Sequence, residues 1–175
     1  MEFSISQKEL LECLNHFQSV VERRNTIPIL SNLKIIAEDG TLSITATDLG
    51  IELTEKLNAK IDKNGSTTIP SQLFFDIVRK IPERLEIKIK KDDKSQVVYV
   101  LFGKSQFSIP TLPIDDFPLM DESKFDVNLE LKSNELKELI DNCKFCMGLD
   151  ESRPYLNGIY FHISGEKIST VSTDG

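Results

Sequence analysis

The sequence lacks the features on which most enzyme classes depend. Its eight glycines include no phosphate-binding loop of the G-x-G-x-x-G or P-loop type. Its two histidines, His16 and His162, fall on different predicted elements, and no carboxylate or nucleophile is spaced to complete a triad with either. We therefore predict no catalytic residues, no metal and no cofactor.

Cysteine is scarce, and long apolar runs are absent. Three cysteines make an odd number without the spacing of a disulfide scaffold, which favours a reducing compartment. Cys143 and Cys146 form a C-x-x-C on the apolar stripe of a predicted helix, but no second pair or nearby histidine completes a zinc site. No secretory signal precedes the first strand, and no stretch approaches the roughly 18 apolar residues of a membrane span. We predict a cytoplasmic protein without membrane contact.

Net charge points away from nucleic acid, but the placement of the basic residues reopens the question. The formal net charge is −7, although a net charge says nothing about how charge is distributed over the faces. Arg79 and Lys80 end one predicted helix, and Arg23 and Arg24 end another. These residues either complement the helix dipoles or form a basic surface that contacts phosphates without reading bases.

The most informative positive feature is a repeat without gaps at an offset of 126 residues. Residues 1–49 align with residues 127–175, and the apolar positions coincide along the alignment. Eight identities share this register: Glu9/Glu135, Leu10/Leu136, Glu12/Glu138, Pro28/Pro154, Leu30/Leu156, Ser43/Ser169, Thr47/Thr173 and Asp48/Asp174. A unit this long is a domain rather than a solenoid module. We predict a complete domain at 1–125 and the first two-fifths of a second copy, truncated, at 126–175.

Periodicity predicts an α+β domain with two helices packed on antiparallel strands. Ser6 and Glu9 form a capping box before a helix that runs to about Val21. Asp39-Gly40 is a hairpin signal between two alternating segments. The remaining predictions are strands at 51–57, 85–89, 97–102 and 106–109 and a helix at 70–81. The proline-rich segment 110–121 is predicted to be an extended connector between domains.

Several segments together resemble the bacterial DNA polymerase III β subunit family, the β sliding clamps. The resemblance covers the whole chain in the family's order. The segments that carry it are Arg24–Leu33, Thr45–Leu49, Phe107–Pro113 with Asp116–Pro118, Arg153–Ile159 and Thr170–Gly175.

The resemblance implies a DNA clamp fold and a processivity factor without catalysis. Family chains carry three tandem domains, and two chains close head to tail into a ring around duplex DNA. The ring tethers the replicative polymerase, and it binds the clamp loader and repair proteins through short linear motifs. The 175 residues are expected to be a fragment of such a clamp, monomeric alone. The alternatives are a truncated copy acting only as an interaction module and an unrelated enzyme on the same scaffold.

Functional residues follow from the resemblance, position by position. DNA-contacting positions of the family match Arg24, Arg79 and Tyr155, whereas Pro154, Asp150 and Gln72 depart from the pattern and put nearby DNA contacts in doubt. Part of the peptide-binding groove matches Arg153, Leu156, Thr173 and Gly175. The edge that meets the partner subunit matches Phe107 and Ile109.

Overall fold

A computed structural model describes residues 1–21, 26–92, 95–118, 129–165 and 167–175. The chain divides into two compact units, Met1–Glu122 and Ser123–Gly175, which we call unit 1 and unit 2. In the described part of the chain, no helix is both long enough and apolar enough to cross a membrane.

Unit 1 opens with strand β1 (Glu2–Ser6) and helix α1 (Gln7–Phe17). Ser6 caps the helix as predicted, because its hydroxyl accepts the Glu9 N–H at 3.3 Å and donates to the Glu9 carboxylate at 2.7 Å. The helix ends four residues earlier than predicted. The N–H groups of Val20 and Val21 both donate to the Phe17 carbonyl, which tightens the chain into turns. Apolar spacing continued to Val21 because these turns remain packed on the core.

Two antiparallel sheets form the rest of unit 1. Their strands are β2 (Asn32–Glu38), β3 (Thr41–Thr47), β4 (Glu52–Asn58), β5 (Lys60–Lys63), β6 (Gly65–Pro70), β7 (Glu86–Lys91), β8 (Val97–Phe102) and β9 (Ser105–Pro110). One sheet has the order β5-β1-β7-β8-β9 and the other β4-β3-β2-β6. The predicted hairpin at Asp39-Gly40 is present, with positive φ at both residues.

Strands β5 and β6 were not predicted. Strand β5 is short and largely exposed, and β6 buries Thr67 and Thr68 along with Ile69, so neither shows an apolar alternation. Such strands are specified by their neighbours rather than by their own pattern.

Helix α2 (Ser71–Val78) packs beside α1, and both helices cover one continuous core with the two sheets. The largest fully buried side chains of this core are Phe3, Leu10, Leu14, Phe17, Leu33, Ile35, Leu42, Ile44, Ile69, Phe74, Ile87 and Ile89. The predicted α+β class with two helices packed on antiparallel strands is confirmed.

The segment after β9 differs from the predicted extended connector over its described part, Thr111–Pro118. It contains a short 3-10 helix at Ile114–Asp116, and it buries Thr111 and Phe117. The Thr68 hydroxyl donates to the Leu112 carbonyl at 2.7 Å. This segment is therefore a packed part of unit 1.

Unit 2 repeats the first helix, the 3-10 helix and the first hairpin of unit 1 at the predicted offset, whereas residues 129–132, at the positions of β1, do not form a strand. It contains helix α3 (Ser133–Asp141), a short 3-10 helix at Pro154–Leu156, and a hairpin of β10 (Tyr160–Ser164) and β11 (Lys167–Val171). The strand register is the same in both copies: Lys34 lies opposite Thr45, and Tyr160 lies opposite Val171. Most large apolar side chains in the described part of unit 2 remain exposed or half-buried.

Candidate functional site

A pocket of about 280 Å³ opens on unit 2. It lies between the 3-10 helix Pro154–Leu156, the start of β10 and the end of β11. Its lining residues are Tyr155, Leu156, Gly158, Ile159, Tyr160, Val171, Ser172 and Thr173. The walls are mostly apolar with a few hydroxyl groups, which is the composition of a site for a small apolar group with some directional polar contacts.

The structure brings together all four residues predicted for the peptide groove. Leu156 and Thr173 line the pocket. The Gly175 N–H donates to the Thr173 hydroxyl at 3.1 Å. Gly175 has φ +105, and a Cβ on it would lie 2.6 Å from Arg153 Nη1 and 3.8 Å from Leu156 Cδ1. Glycine at this position therefore allows the guanidinium to approach the pocket closely.

Arg153 is held by a carboxylate in its own loop. Its Nε donates to the Asp150 carboxylate at 3.3 Å, and the Ser152 hydroxyl and N–H donate to the same carboxylate at 2.7 and 2.9 Å. The Ser152 hydroxyl, the Ser152 N–H and Arg153 together hold the pKa of Asp150 below its ordinary value. Asp150 therefore orders this loop and positions Arg153.

Tyr155, predicted to contact DNA, lies at the rim of the same pocket. Tyr155 is the second residue of the 3-10 helix Pro154–Leu156, and it is 78% exposed. An exposed aromatic ring at a pocket rim is available to either a nucleic acid or a peptide.

Arg79 follows the last residue of α2 and is half-exposed. Its guanidinium lies 3.0 Å from the Asp76 carboxylate and 5.7 Å from the centre of the Phe75 ring. The side-chain amide of Gln72, one helical turn before Asp76, donates to the Asp76 carboxylate at 3.1 Å. The positive charge is therefore positioned and partly offset by Asp76. Arg24 lies outside the described residues.

The two residues predicted for a subunit interface differ in exposure. Strand β9 is an edge of the five-stranded sheet. Phe107 is 44% exposed on it and stacks on Phe102, with ring centres 5.9 Å apart. Ile109 is 0% exposed and belongs to the core. The Ile109 side chain is therefore not available at the edge, whereas the Phe107 ring is.

The apolar spacing predicted a regular helix at the C-x-x-C, and this prediction is wrong. Helix α3 ends at Asp141, and Lys144–Cys146 form a 3-10 helix. The Cys143 and Cys146 sulfurs hydrogen-bond to Thr170 and Ser172, which tie this segment to β11. Among the described residues, no cluster of three or more histidine, cysteine or acidic side chains is placed to hold a metal ion.

Five of the eight pocket-lining residues were not predicted: Gly158, Ile159, Tyr160, Val171 and Ser172. Tyr160 and Val171 face each other across the β10–β11 pair, and Ser172 follows β11. The alternation of the repeated hairpin was a usable signal, since Tyr160 and Val171 are outward positions beside Leu156.

Comparison with known proteins matches both units to one family. The model described as DNA polymerase III beta subunit, N-terminal domain, matches residues 1–121. The model described as the central domain of the same subunit matches residues 130–175. The chain belongs to the DNA polymerase III beta subunit family.

Individual relatives agree with this assignment. The beta sliding clamp of Caulobacter vibrioides is 40% identical over all of this chain and 48% of its own length. That of Escherichia coli K12 is 38% identical over all of this chain and 48% of its own length. The chain thus spans about half the length of the curated relatives it matches.

Solved structures give the same result for the fold. A sliding clamp from Bartonella birtlesii, bound to griselimycin, aligns with TM-score 0.94 and 39% identity over 99% of this chain and 47% of that one. The Caulobacter crescentus pol III beta structure aligns with TM-score 0.91 and 41% identity over 100% of this chain and 48% of that one. The predicted clamp fold is confirmed.

Proposed function

We propose that this chain acts within a DNA polymerase processivity factor, a ring-shaped sliding clamp that encircles duplex DNA and tethers the replicative polymerase. The observation that carries this proposal is the match of two consecutive clamp domain models over nearly the whole chain. The role is that of an accessory subunit in the cytoplasm, without catalysis. The first domain spans residues 1–125, and residues 126–175 begin the second.

DNA binding in this proposal is electrostatic and independent of sequence. The Arg79 guanidinium stands half-exposed beside Asp76 at the end of α2, and Arg24 and Tyr155 complete the proposed contacts. Arginine contacts to phosphates release counterions, so affinity falls steeply as salt rises. Asp76 offsets part of the Arg79 charge in the absence of DNA, which keeps the Arg79 contact weak. Weak contacts of this kind suit a protein that slides.

Salt-dependent binding of a labelled random-sequence duplex tests this contact. Arg79→Ala is expected to weaken binding equally on all sequences and to reduce the slope of log K against log salt by about one. Lys104→Ala, in the exposed turn after β8, is the charge-matched control, and we expect it to leave the slope unchanged. Equal effects of the two substitutions would show that binding reflects overall charge rather than a site.

The unit 2 pocket is proposed as part of a groove for short linear motifs of the polymerase, the clamp loader and repair proteins. Its apolar wall, with Leu156 and Tyr160, suits an apolar or aromatic side chain. Arg153, held beside Gly175, suits a peptide carboxylate. A preformed pocket that takes one or two anchors is a usual mode of motif recognition.

The compound bound by the Bartonella birtlesii clamp, griselimycin, serves as the probe for this pocket. Titration followed by methyl NMR is expected to shift the Leu156 signals in a saturable manner, and Leu156→Ala should abolish binding. Leu149→Ala, an exposed leucine outside the pocket lining, is the control. Saturable shifts confined to unit 1 would exclude this pocket as the site.

Assembly is proposed to use the β9 edge. In the longer protein, β9 with its exposed Phe107 meets a partner copy head to tail, and the open backbone edge pairs with a partner strand. The 175-residue chain alone is expected to be monomeric. Light scattering at increasing concentration measures this directly, and a stable dimer of the 175 residues would contradict it.

A further inference from the structure

The unit 2 pocket has a counterpart in unit 1. Subtracting the repeat offset from its lining residues gives Ile29, Leu30, Asn32, Leu33, Lys34, Thr45, Ala46 and Thr47. The two sets lie on equivalent elements in the same strand register. The following turn is also repeated, because the Leu49 N–H donates to Thr47 as the Gly175 N–H donates to Thr173. The same binding architecture is therefore built twice.

In unit 1 this position is filled by an aromatic ring of the same chain. Phe117 is 5% exposed and forms a separate apolar cluster with Ile29 and Leu30. The Lys34 ammonium lies 5.8 Å from the centre of its ring, within the range of a cation–π contact. Three counterparts of pocket-lining residues thus contact one side chain.

The segment that carries Phe117 is held as a bound peptide is held. Thr68 Oγ1 accepts the Leu112 N–H at 3.0 Å, donates to the Leu112 carbonyl at 2.7 Å, and accepts from Asn32 at 3.1 Å. A 3-10 turn, closed by the Phe117 N–H on the Ile114 carbonyl, then directs the ring inward. Asp115 and Asp116 remain exposed.

We propose that unit 1 contains a second peptide-binding pocket, occupied in cis by the chain's own segment Thr111–Pro118 through Phe117. Its ligand class is a short peptide in which carboxylates precede an aromatic residue. The cis segment excludes other peptides from unit 1. This inference goes beyond the site proposed for unit 2 and fails separately from it, because it concerns a different pocket with its own NMR signals.

Phe117→Ala tests the proposal in the full 175-residue chain. The probe is a synthetic peptide with the sequence of residues 111–118, and methyl NMR reads Ile29 and Leu30 for unit 1. We expect no saturable shifts at these methyls in the unsubstituted chain. In Phe117→Ala we expect saturable shifts there, with an affinity at least about tenfold above the weakest binding that the titration of the unsubstituted chain would detect, because the competing cis ligand has lost its anchor. The same peptide with alanine for its phenylalanine should not bind.

Two further variants keep the outcome decisive. Phe107→Ala removes an aromatic ring elsewhere in unit 1 and should leave the pocket closed. Phe117→Leu keeps apolar bulk and preserves the fold if alanine does not, and it should bind the peptide more weakly than Phe117→Ala. A folded Phe117 variant whose Ile29 and Leu30 methyls do not respond to the peptide would overturn the proposal. So would binding at those methyls in the unsubstituted chain.

Discussion

Helices α1 and α3 stand at the same position of the repeat, yet only α1 buries its apolar stripe. Leu10 and Leu14 are fully buried, whereas their counterparts Leu136 and Ile140 are more than a third exposed. Both helices begin after an extended residue with a glutamate at the third helical position, and both carry the stripe at helical spacing.

The difference lies in what surrounds each helix. Unit 1 supplies a second helix and nine strands, whereas the described residues of unit 2 supply one β-hairpin beside α3. An amphipathic pattern therefore specifies which face of a helix is apolar, and tertiary neighbours determine whether that face is buried. The stabilisation that each helix gains from burial should therefore depend on the elements packed against it and not on its apolar stripe.

Matched core substitutions give the largest expected contrast. Leu14→Ala should lower the free energy of unfolding of unit 1 by about 2–5 kcal/mol, because it leaves a cavity in a closed core. Ile140→Ala, at the equivalent position of unit 2, should cost only about 1–2 kcal/mol, because about a third of that residue is already in water. Urea unfolding, followed separately for each unit by NMR, measures both. Equal losses would show that unit 2 has a closed core.

The repeated threonine turn gives an intermediate contrast. The buried Thr47 hydroxyl donates to the Ile51 carbonyl at 2.8 Å and accepts the Leu49 N–H at 3.0 Å. Thr47→Ala should therefore destabilise unit 1 by about 1–3 kcal/mol. Thr173→Ala removes an exposed bond to Gly175, and it should affect peptide binding more than stability. Thr47→Ser, which retains the hydroxyl, is the control, and a loss as large as that of alanine would exclude the hydrogen bonds as the cause.

The smallest expected effect is the contribution of one carboxylate of unit 2, Asp141, to the pH dependence of stability. Hydrogen bonds from Lys137 and Lys144 lower the pKa of Asp141 to about 2, and the equivalent residue in unit 1 is Asn15. A lowered carboxyl pKa stabilises the folded state above the ordinary value of 3.8, and that stability is lost as pH falls from there towards 2.

Asp141→Asn should therefore flatten the acid dependence of unit 2 within this window and leave unit 1 unchanged. Glu138→Gln on the same helix is the charge-matched control. Hydrogen-exchange protection of unit 2, measured between pH 2 and 5, reads the effect. An unaltered acid profile in Asp141→Asn would show that the Lys137 and Lys144 contacts with Asp141 do not contribute to the acid stability of unit 2.

Much of the fold was predictable because its signals are local. The repeat, the Ser6 cap, the Asp39-Gly40 hairpin and the alternating strands each depend on spacing within a few residues. Strand β6 was missed because its buried threonines are paired by other parts of the chain, as Thr68 is by Asn32 and Leu112. Long-range partners of this kind leave no local pattern.

The candidate site likewise has residues that were predicted from the sequence and contacts that were not. Arg153, Leu156, Thr173 and Gly175 were found through the resemblance, and the structure places them together. The burial of Phe117 was not predicted, because a proline-rich segment is typical of a connector. Its packing with Ile29 and Leu30 is visible only in the structure. The functions of these residues remain predictions for the binding experiments above.

Amide hydrogen exchange, measured residue by residue on the 175-residue chain, tests the central comparison most directly. The register of β2 and β3 is repeated in β10 and β11, so each residue from Lys34 to Glu38 has a matched residue between Tyr160 and Ser164. The account predicts that Lys34 and Ile36 exchange by global opening of unit 1, whereas Tyr160 and His162, at the same register positions of β10, exchange orders of magnitude faster through local opening. Equal protection of the matched amides would contradict it, since burial would then follow the repeated pattern alone.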